Sequence, residues 1–182
     1  MAADGFLRIA ITQPEPPEDE SRRVTRLLDS GRFDIVHLRH PAASWREMRA
    51  IIEEIPDRLH RRLRLHGHFD LAAEFNLGGL HLNGRCPEPP AFYSGPLSRS
   101  CHSVDEVLAA RGFDYVTLSP IFDSVSKTGY RAAFTSTDLS RLAGGIPRVI
   151  ALGGVTPEKI VDLDRRIFGG YAMLGSVGWE SL

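Results

Sequence analysis

Along the chain, short runs of apolar and β-branched residues alternate with stretches whose apolar positions recur at helical spacing. Leu7–Thr12 (LRIAIT) predicts a first strand, and Pro14, Pro16 and Pro17 break the chain behind it. Glu20–Asp29 carries Val24, Leu27 and Leu28 on one helical face, and Gly31 ends that helix. Asp34–Arg39 predicts a second strand, stopped by Pro41, and Ser44 with Glu47 three residues on is a capping-box signature for the next helix. Further strands are predicted over Arg62–His66, Gly79–Leu82, Leu97–Cys101, Asp114–Leu118, Arg148–Leu152 and Tyr171–Leu174. Helices are predicted over Asp70–Phe75, Ser103–Arg111, Thr137–Leu142 and Thr156–Leu163. Pro87 to Pro96 contains four prolines and reads as loop. Ser119–Phe134, with Pro120 and Gly129, reads as a long mobile loop of the kind that often serves as a lid.

Eight strand signals alternating with helices predict the α/β class and a (β/α)8 TIM barrel, with an open Rossmann-like sheet as the alternative. The 182 residues form a single predicted domain. A barrel of this kind takes about 250 residues, so its loops and helices must be minimal.

Composition narrows the function classes. With 22 basic and 23 acidic residues the net charge is −1, which leaves no electrostatic footprint for nucleic acid or an acidic membrane surface. No apolar run reaches bilayer-spanning length. Asp4, Glu15, Glu18, Asp19 and Glu20 near the start argue against a secretory signal. Cys86 and Cys101 are too few for a disulfide framework, and a reducing cytoplasm is expected. Only Lys127 and Lys159 among the basic residues are lysine, so a lysine inside the Ser119–Phe134 loop stands out.

Candidate chemistry gathers where a barrel places it, just after the strands. Gly153–Gly154 follows the seventh strand and Gly175–Ser176 the eighth. There, backbone N–H groups of tight turns are suited to phosphate. His37, His40, His66, His68, His81 and His102 lie in or after strands two to five, and imidazole is the side chain that exchanges protons near neutrality. His66-x-His68 is a possible chelate, but no further ligand stands at diagnostic spacing, so no metal is expected. His81 reads as a satisfied interior histidine and His40 as a solvated loop residue. Arg39 and Lys127 together would neutralise a dianionic phosphate or carboxylate, arginine through its fork and lysine as a point charge.

The strings IAIT, VHLR, FDLA, GLHL, SRSCHSVDEV, DYVTLSPIFDSVSK, IPRVIALGGVTPEKI and GGYAMLGSV run over nearly the whole chain. In that order they resemble the thiamine phosphate synthase and thiazole tautomerase (TenI-like) superfamily. The resemblance implies a (β/α)8 barrel, a homodimer, and a thiazole phosphate as small-molecule substrate in thiamine biosynthesis. The synthases of this superfamily hold magnesium with two aspartates, in Asn-Asp-Arg after strand three and Gln-Glu-Asp after strand four. This chain reads His66-Gly67-His68 and Gly84-Arg85-Cys86 at those places. The synthases' Arg-x-Lys after strand two reads Arg39-His40-Pro41. The tautomerases carry glycine at the first aspartate position and a histidine in Ser-x-His-Ser after strand five; here that string is Ser100-Cys101-His102-Ser103.

The resemblance therefore implies a metal-free tautomerase that aromatises a thiazole carboxylate phosphate. His102 is the implied general acid/base, held by Ser100 and Ser103. Arg39, His66 and Lys127 are implied at the substrate, and Gly153, Gly154, Gly175 and Ser176 at its phosphate. The alternatives are a divergent thiamine phosphate synthase, joining a hydroxymethylpyrimidine pyrophosphate to a thiazole phosphate with Mg2+, and a non-catalytic binder of thiazole or thiamine phosphates.

Overall fold

The structure is a computed structural model that describes residues 5–123, 133–144 and 148–179. Eight strands close into one barrel in sequence order: β1 Leu7–Ile11, β2 Ile35–Leu38, β3 Leu63–Leu65, β4 Gly79–Leu82, β5 Leu97–Cys101, β6 Tyr115–Leu118, β7 Arg148–Ala151 and β8 Phe168–Met173. Every neighbouring pair is parallel, and β8 pairs with β1. Closure excludes the open Rossmann-like sheet.

The helices are short, as the chain length requires. They are α1 Glu20–Asp29, α2 Trp45–Glu54, α3 Asp57–His60, α4 Leu71–Glu74, α5 Val104–Ala109 and α6 Ser136–Ser140. α1 buries Val24, Leu27 and Leu28 against the sheet. The predicted capping box forms at α2: the Ser44 hydroxyl accepts from the Glu47 N–H while the Glu47 carboxylate accepts from the Ser44 N–H. Such a cap stabilises a helix by about 1 kcal/mol. Thr135 and Asp138 cap α6 in the same way. The segment after β7, expected as an α-helix over Thr156–Leu163, is instead a 3-10 helix over Pro157–Asp162.

Strand alternation sorts side chains into two sets. Val36, Leu38, Leu63, Leu65, Leu80, Leu82, Val116, Leu118 and Val149 point outward into the main core beneath the helices. The inward set is split by chemistry. Leu7, Ile9, Ile11, Ile150 and Ala172, from β1, β7 and β8, pack with Tyr115 as an apolar sector. The rest of the interior is polar and buried: His37, Arg64, His81, Ser98, Tyr115 and Thr117.

Arg64 sits at the floor of this polar sector. It donates to the carbonyls of Gly78 and Pro96 and pairs with Asp114 at 2.9 Å. Gly79, at φ +148°, makes room for it, since a Cβ there would overlap the Arg64 guanidinium and the Pro96 carbonyl. Beside it, Arg62 donates to the carbonyls of Asp34, Leu28 and Phe33, closing the loop between α1 and β2.

Candidate active site

At the centre of the polar sector three histidines meet from three adjacent strands. His37 Nδ1 lies 2.9 Å from His66 Nε2, and the His66 ring stacks on the His81 ring at a centroid distance of 4.4 Å. His37 and His81 lie 4.7 Å apart by ring centroids. His37 Nε2 reaches the Tyr115 hydroxyl at 2.6 Å. Because β2 and β6 are not neighbours, that bond crosses the barrel interior.

His81 is held from both sides. Ser98 donates its hydroxyl proton to the Leu80 carbonyl, so toward His81 Nδ1, 2.9 Å away, it accepts. His81 therefore carries its proton on Nδ1, and its Nε2 lone pair faces the Ser100 hydroxyl at 3.0 Å. The expected reading of His81 as an interior histidine with satisfied nitrogens holds.

All three imidazoles are held neutral. Burial, reinforced by the charge of Arg64, pushes His81 down to about 3. Burial first, then the neighbouring imidazoles and Arg64, pulls His37 well below its ordinary value. For His66 the cause is again burial first, then His81, Arg39, Arg85 and His40. Burial raises the Tyr115 phenol.

His66 reaches the mouth of the barrel, where it lines a cavity of about 330 Å³ together with Leu38, His40, Met48, His68, Arg85 and Cys86. Arg39 stands beside this mouth, half-buried. Burial, then the charge of Arg85, pulls its guanidinium below the ordinary arginine range. Two guanidinium groups that raise each other's electrostatic energy, next to neutral imidazoles, make a receptor for an anion. Arg85 was not singled out in the sequence, because nothing local marks a loop arginine as the partner of Arg39.

The structure corrects several expectations. His40 is not solvated: it is buried, with Nε2 3.3 Å from the Thr12 hydroxyl and 3.4 Å from a Glu20 carboxylate oxygen. His68 does not join His66 in a chelate, since its Nε2 bonds the Ala43 carbonyl at 2.9 Å. Ser100 serves His81 rather than His102, and Ser103 caps α5 by accepting from the Glu106 N–H. His102 is exposed just after β5. Its N–H donates to Glu106, and its ring Nδ1 lies 3.4 Å from the Ser119 hydroxyl, a partner supplied by the turn after β6. Lys127 lies outside the described residues.

The two glycine turns stand after β7 and β8. Among the described residues, the backbone N–H groups of Gly153, Gly154, Gly175 and Ser176 make no hydrogen bond, so they are available to an anion. Gly153 and Gly154 also have a packing reason. Both sit at positive φ, and a Cβ on either would press on the backbone of Pro120, Phe122 or Asp123. That close approach is fixed by Ile121 N–H to the Leu152 carbonyl and Phe122 N–H to the Gly153 carbonyl. Gly175 has open space around it.

Among the described residues, His37, His66 and His81 are the one group of three or more His, Cys, Asp or Glu side chains whose ligand atoms lie within 4.8 Å of one another. Magnesium takes oxygen ligands. Gly67 and Cys86 offer none from their side chains, so the described residues at these strand ends do not fit the two-aspartate magnesium site that the resemblance implies for synthases. No helix among the described residues is long and apolar enough to cross a membrane.

Known proteins share this fold over most of the chain. The thiamine phosphate pyrophosphorylase of Bacteroides thetaiotaomicron superposes with a TM-score of 0.81 at 35% identity, over 94% of this chain and 84% of that one. The thiamine phosphate pyrophosphorylase of Pyrococcus furiosus shares the fold, with a TM-score of 0.72 at 22% identity over 94% and 86% of the two chains. A thiamine-phosphate synthase of Methanoculleus marisnigri is 27% identical over 170 residues, 86% of this chain and 80% of that protein. The family model described as thiamine monophosphate synthase matches residues 8–177, and the chain belongs to that family of thiamine biosynthesis.

Proposed function

We propose that the chain is a thiazole tautomerase, aromatising a thiazole carboxylate phosphate by proton transfer at the mouth of the barrel. The observation that carries this reading is the composition of that mouth. Imidazoles and the Arg85 guanidinium line it, with Gly67 and Cys86 at the positions where the resemblance calls for metal-holding aspartates. The reaction moves one proton from a ring carbon to an exocyclic alkene carbon, with no net change in charge. It needs an acid/base near neutrality and a clamp for the anionic groups.

In this reading His102 moves the proton. It is exposed to solvent just after β5, with its ring Nδ1 3.4 Å from the Ser119 hydroxyl. Arg39 and Arg85 receive the carboxylate, and Lys127 is a further candidate for the anionic substrate. The backbone N–H groups of Gly153, Gly154, Gly175 and Ser176, unbonded among the described residues, receive the phosphate. His66 borders the thiazole ring as a neutral wall.

The names of the relatives support a second reading, a thiamine phosphate synthase that joins a hydroxymethylpyrimidine pyrophosphate to a thiazole phosphate. Purified protein offered each substrate set, with and without added magnesium, separates the two. The tautomerase converts the thiazole carboxylate phosphate at a rate that magnesium leaves unchanged. Magnesium-dependent formation of thiamine phosphate, without tautomerisation, overturns the first reading and establishes the second.

A further inference from the structure

The three-histidine cluster has a property that the proton-transfer reading leaves unused. One nitrogen from each of His37, His66 and His81 lies within 4.8 Å of one from each of the others, although the rings come from three different strands. Each ring is uncharged, which leaves a lone pair on one nitrogen of each. The outer atoms are already secured, as they are around metal-bound imidazoles. His81 Nδ1–H is fixed by Ser98, and His37 Nε2 is fixed by Tyr115.

We infer that His37, His66 and His81 form a binding site for a single divalent first-row transition cation, zinc above all, reached through the barrel mouth at His66. Imidazole suits zinc, copper, iron and nickel, whereas magnesium and calcium demand oxygen. Three protein nitrogens leave a zinc ion one open position, which a water or an anion fills.

Entry of the ion requires no net proton release. The proton shared between His37 Nδ1 and His66 Nε2 leaves that line when its ring changes tautomer. If the donor is His37, its proton moves to Nε2, which keeps it and donates a hydrogen bond to the Tyr115 oxygen while the phenol hydrogen turns away. The Ser100 hydroxyl, on a partly exposed residue, rotates away from His81 Nε2. Arg64 opposes the cation from the floor, where Asp114 pairs with it at 2.9 Å, and Arg39 and Arg85 oppose it from the mouth, where their charge favours an anion in the ion's open position. The inference stands independently of the tautomerase reading.

The test is metal binding by the full chain, read without any activity assay. Protein stripped by dialysis against a chelator is titrated with Zn2+ in competition with a chromophoric chelator. X-ray absorption of the zinc-loaded parent then counts the imidazoles around the ion. We expect one ion per chain and three imidazole ligands at about 2.0–2.1 Å. His81→Gln loses the ion, and Ser98→Ala weakens binding about 10–100-fold through the lost outer hydrogen bond. His68→Ala, which removes a histidine two residues from His66 whose Nε2 is tied to the Ala43 carbonyl, leaves affinity unchanged. Less than one ion per chain, or fewer than three imidazoles around it, overturns the inference. So does a His68→Ala variant that loses as much affinity as His81→Gln. The absorption measurement on the parent decides the matter even where a variant fails to fold.

Discussion

His37 and His66 lie on adjacent strands, and their rings meet Nδ1 to Nε2 at 2.9 Å inside the barrel. Two imidazoles at that distance share one proton between them, so at most one ring donates, and the two rings cannot both be charged without repelling each other. Together with His81 they form a cluster of neutral rings in the polar sector, beside the charge of Arg64.

The first expected consequence is acid lability. The three histidines have folded-state pKa values below the unfolded value of about 6.5. Below about pH 6.5 the unfolded chain binds protons that the folded chain refuses, so stability falls as pH falls. For His81 the loss continues down to about pH 3. Each such histidine contributes a slope of about 1.4 kcal/mol per pH unit. Urea unfolding at a series of pH values should show this fall, and His81→Asn should flatten it by about one histidine's worth.

His102→Asn should lower tautomerisation by about 10²–10⁴-fold, the usual range for a lost acid/base. The residue is exposed and packs against little, so the melting temperature should stay within the ordinary scatter of surface substitutions. Affinity for the product, measured by calorimetry, should also stay. A folded variant with the parental rate would move the acid/base role elsewhere.

For the phosphate turns, Gly175→Asp is the informative substitution. Its Cβ meets nothing within 4 Å, whereas one at Gly154 would collide with the Asp123 and Phe122 carbonyls and disturb the β6–β7 packing. The new carboxylate repels a phosphate without unfolding the turn. Binding of a thiazole phosphate should weaken by about tenfold or more, equivalent to about 1.4 kcal/mol, at unchanged melting temperature. Parental affinity would place the phosphate at another turn.

Arg39→Met and Arg85→Met should each raise KM for the carboxylate-bearing substrate. A hydrogen bond to a charged group contributes about 1.5–3 kcal/mol, or roughly 10–100-fold. The aromatic product keeps both its carboxylate and its phosphate, so its affinity should fall together with that of the substrate. Rising salt should weaken binding to the parent more than to either variant. Equal salt dependence in all three proteins would remove the two arginines from the anion site.

The chain pattern by itself determined the barrel. Alternating apolar runs and helical stretches gave the eight strands close to their observed bounds, with β4 and β5 matching residue for residue, and Ser44–Glu47 announced its helix start. These features rest on local physics: strand period, capping and chain-breaking residues act over a few residues and leave their mark there. The glycines after β7 and β8 and the histidine after β5 were legible for the same reason.

Pairings between residues far apart in sequence were decided only by the tertiary structure. His66-x-His68 looks like a pair in the sequence, yet the turn after β3 sends His68 to the Ala43 carbonyl and leaves His66 with His37 and His81. His40 reads as a loop residue, but closure of α1 over the β2 end buries it against Glu20. Tyr115 meets His37 only because the barrel closes and brings β6 across from β2. Strand order and closure set which inward residues face one another, and that depends on the whole chain rather than on any window of it.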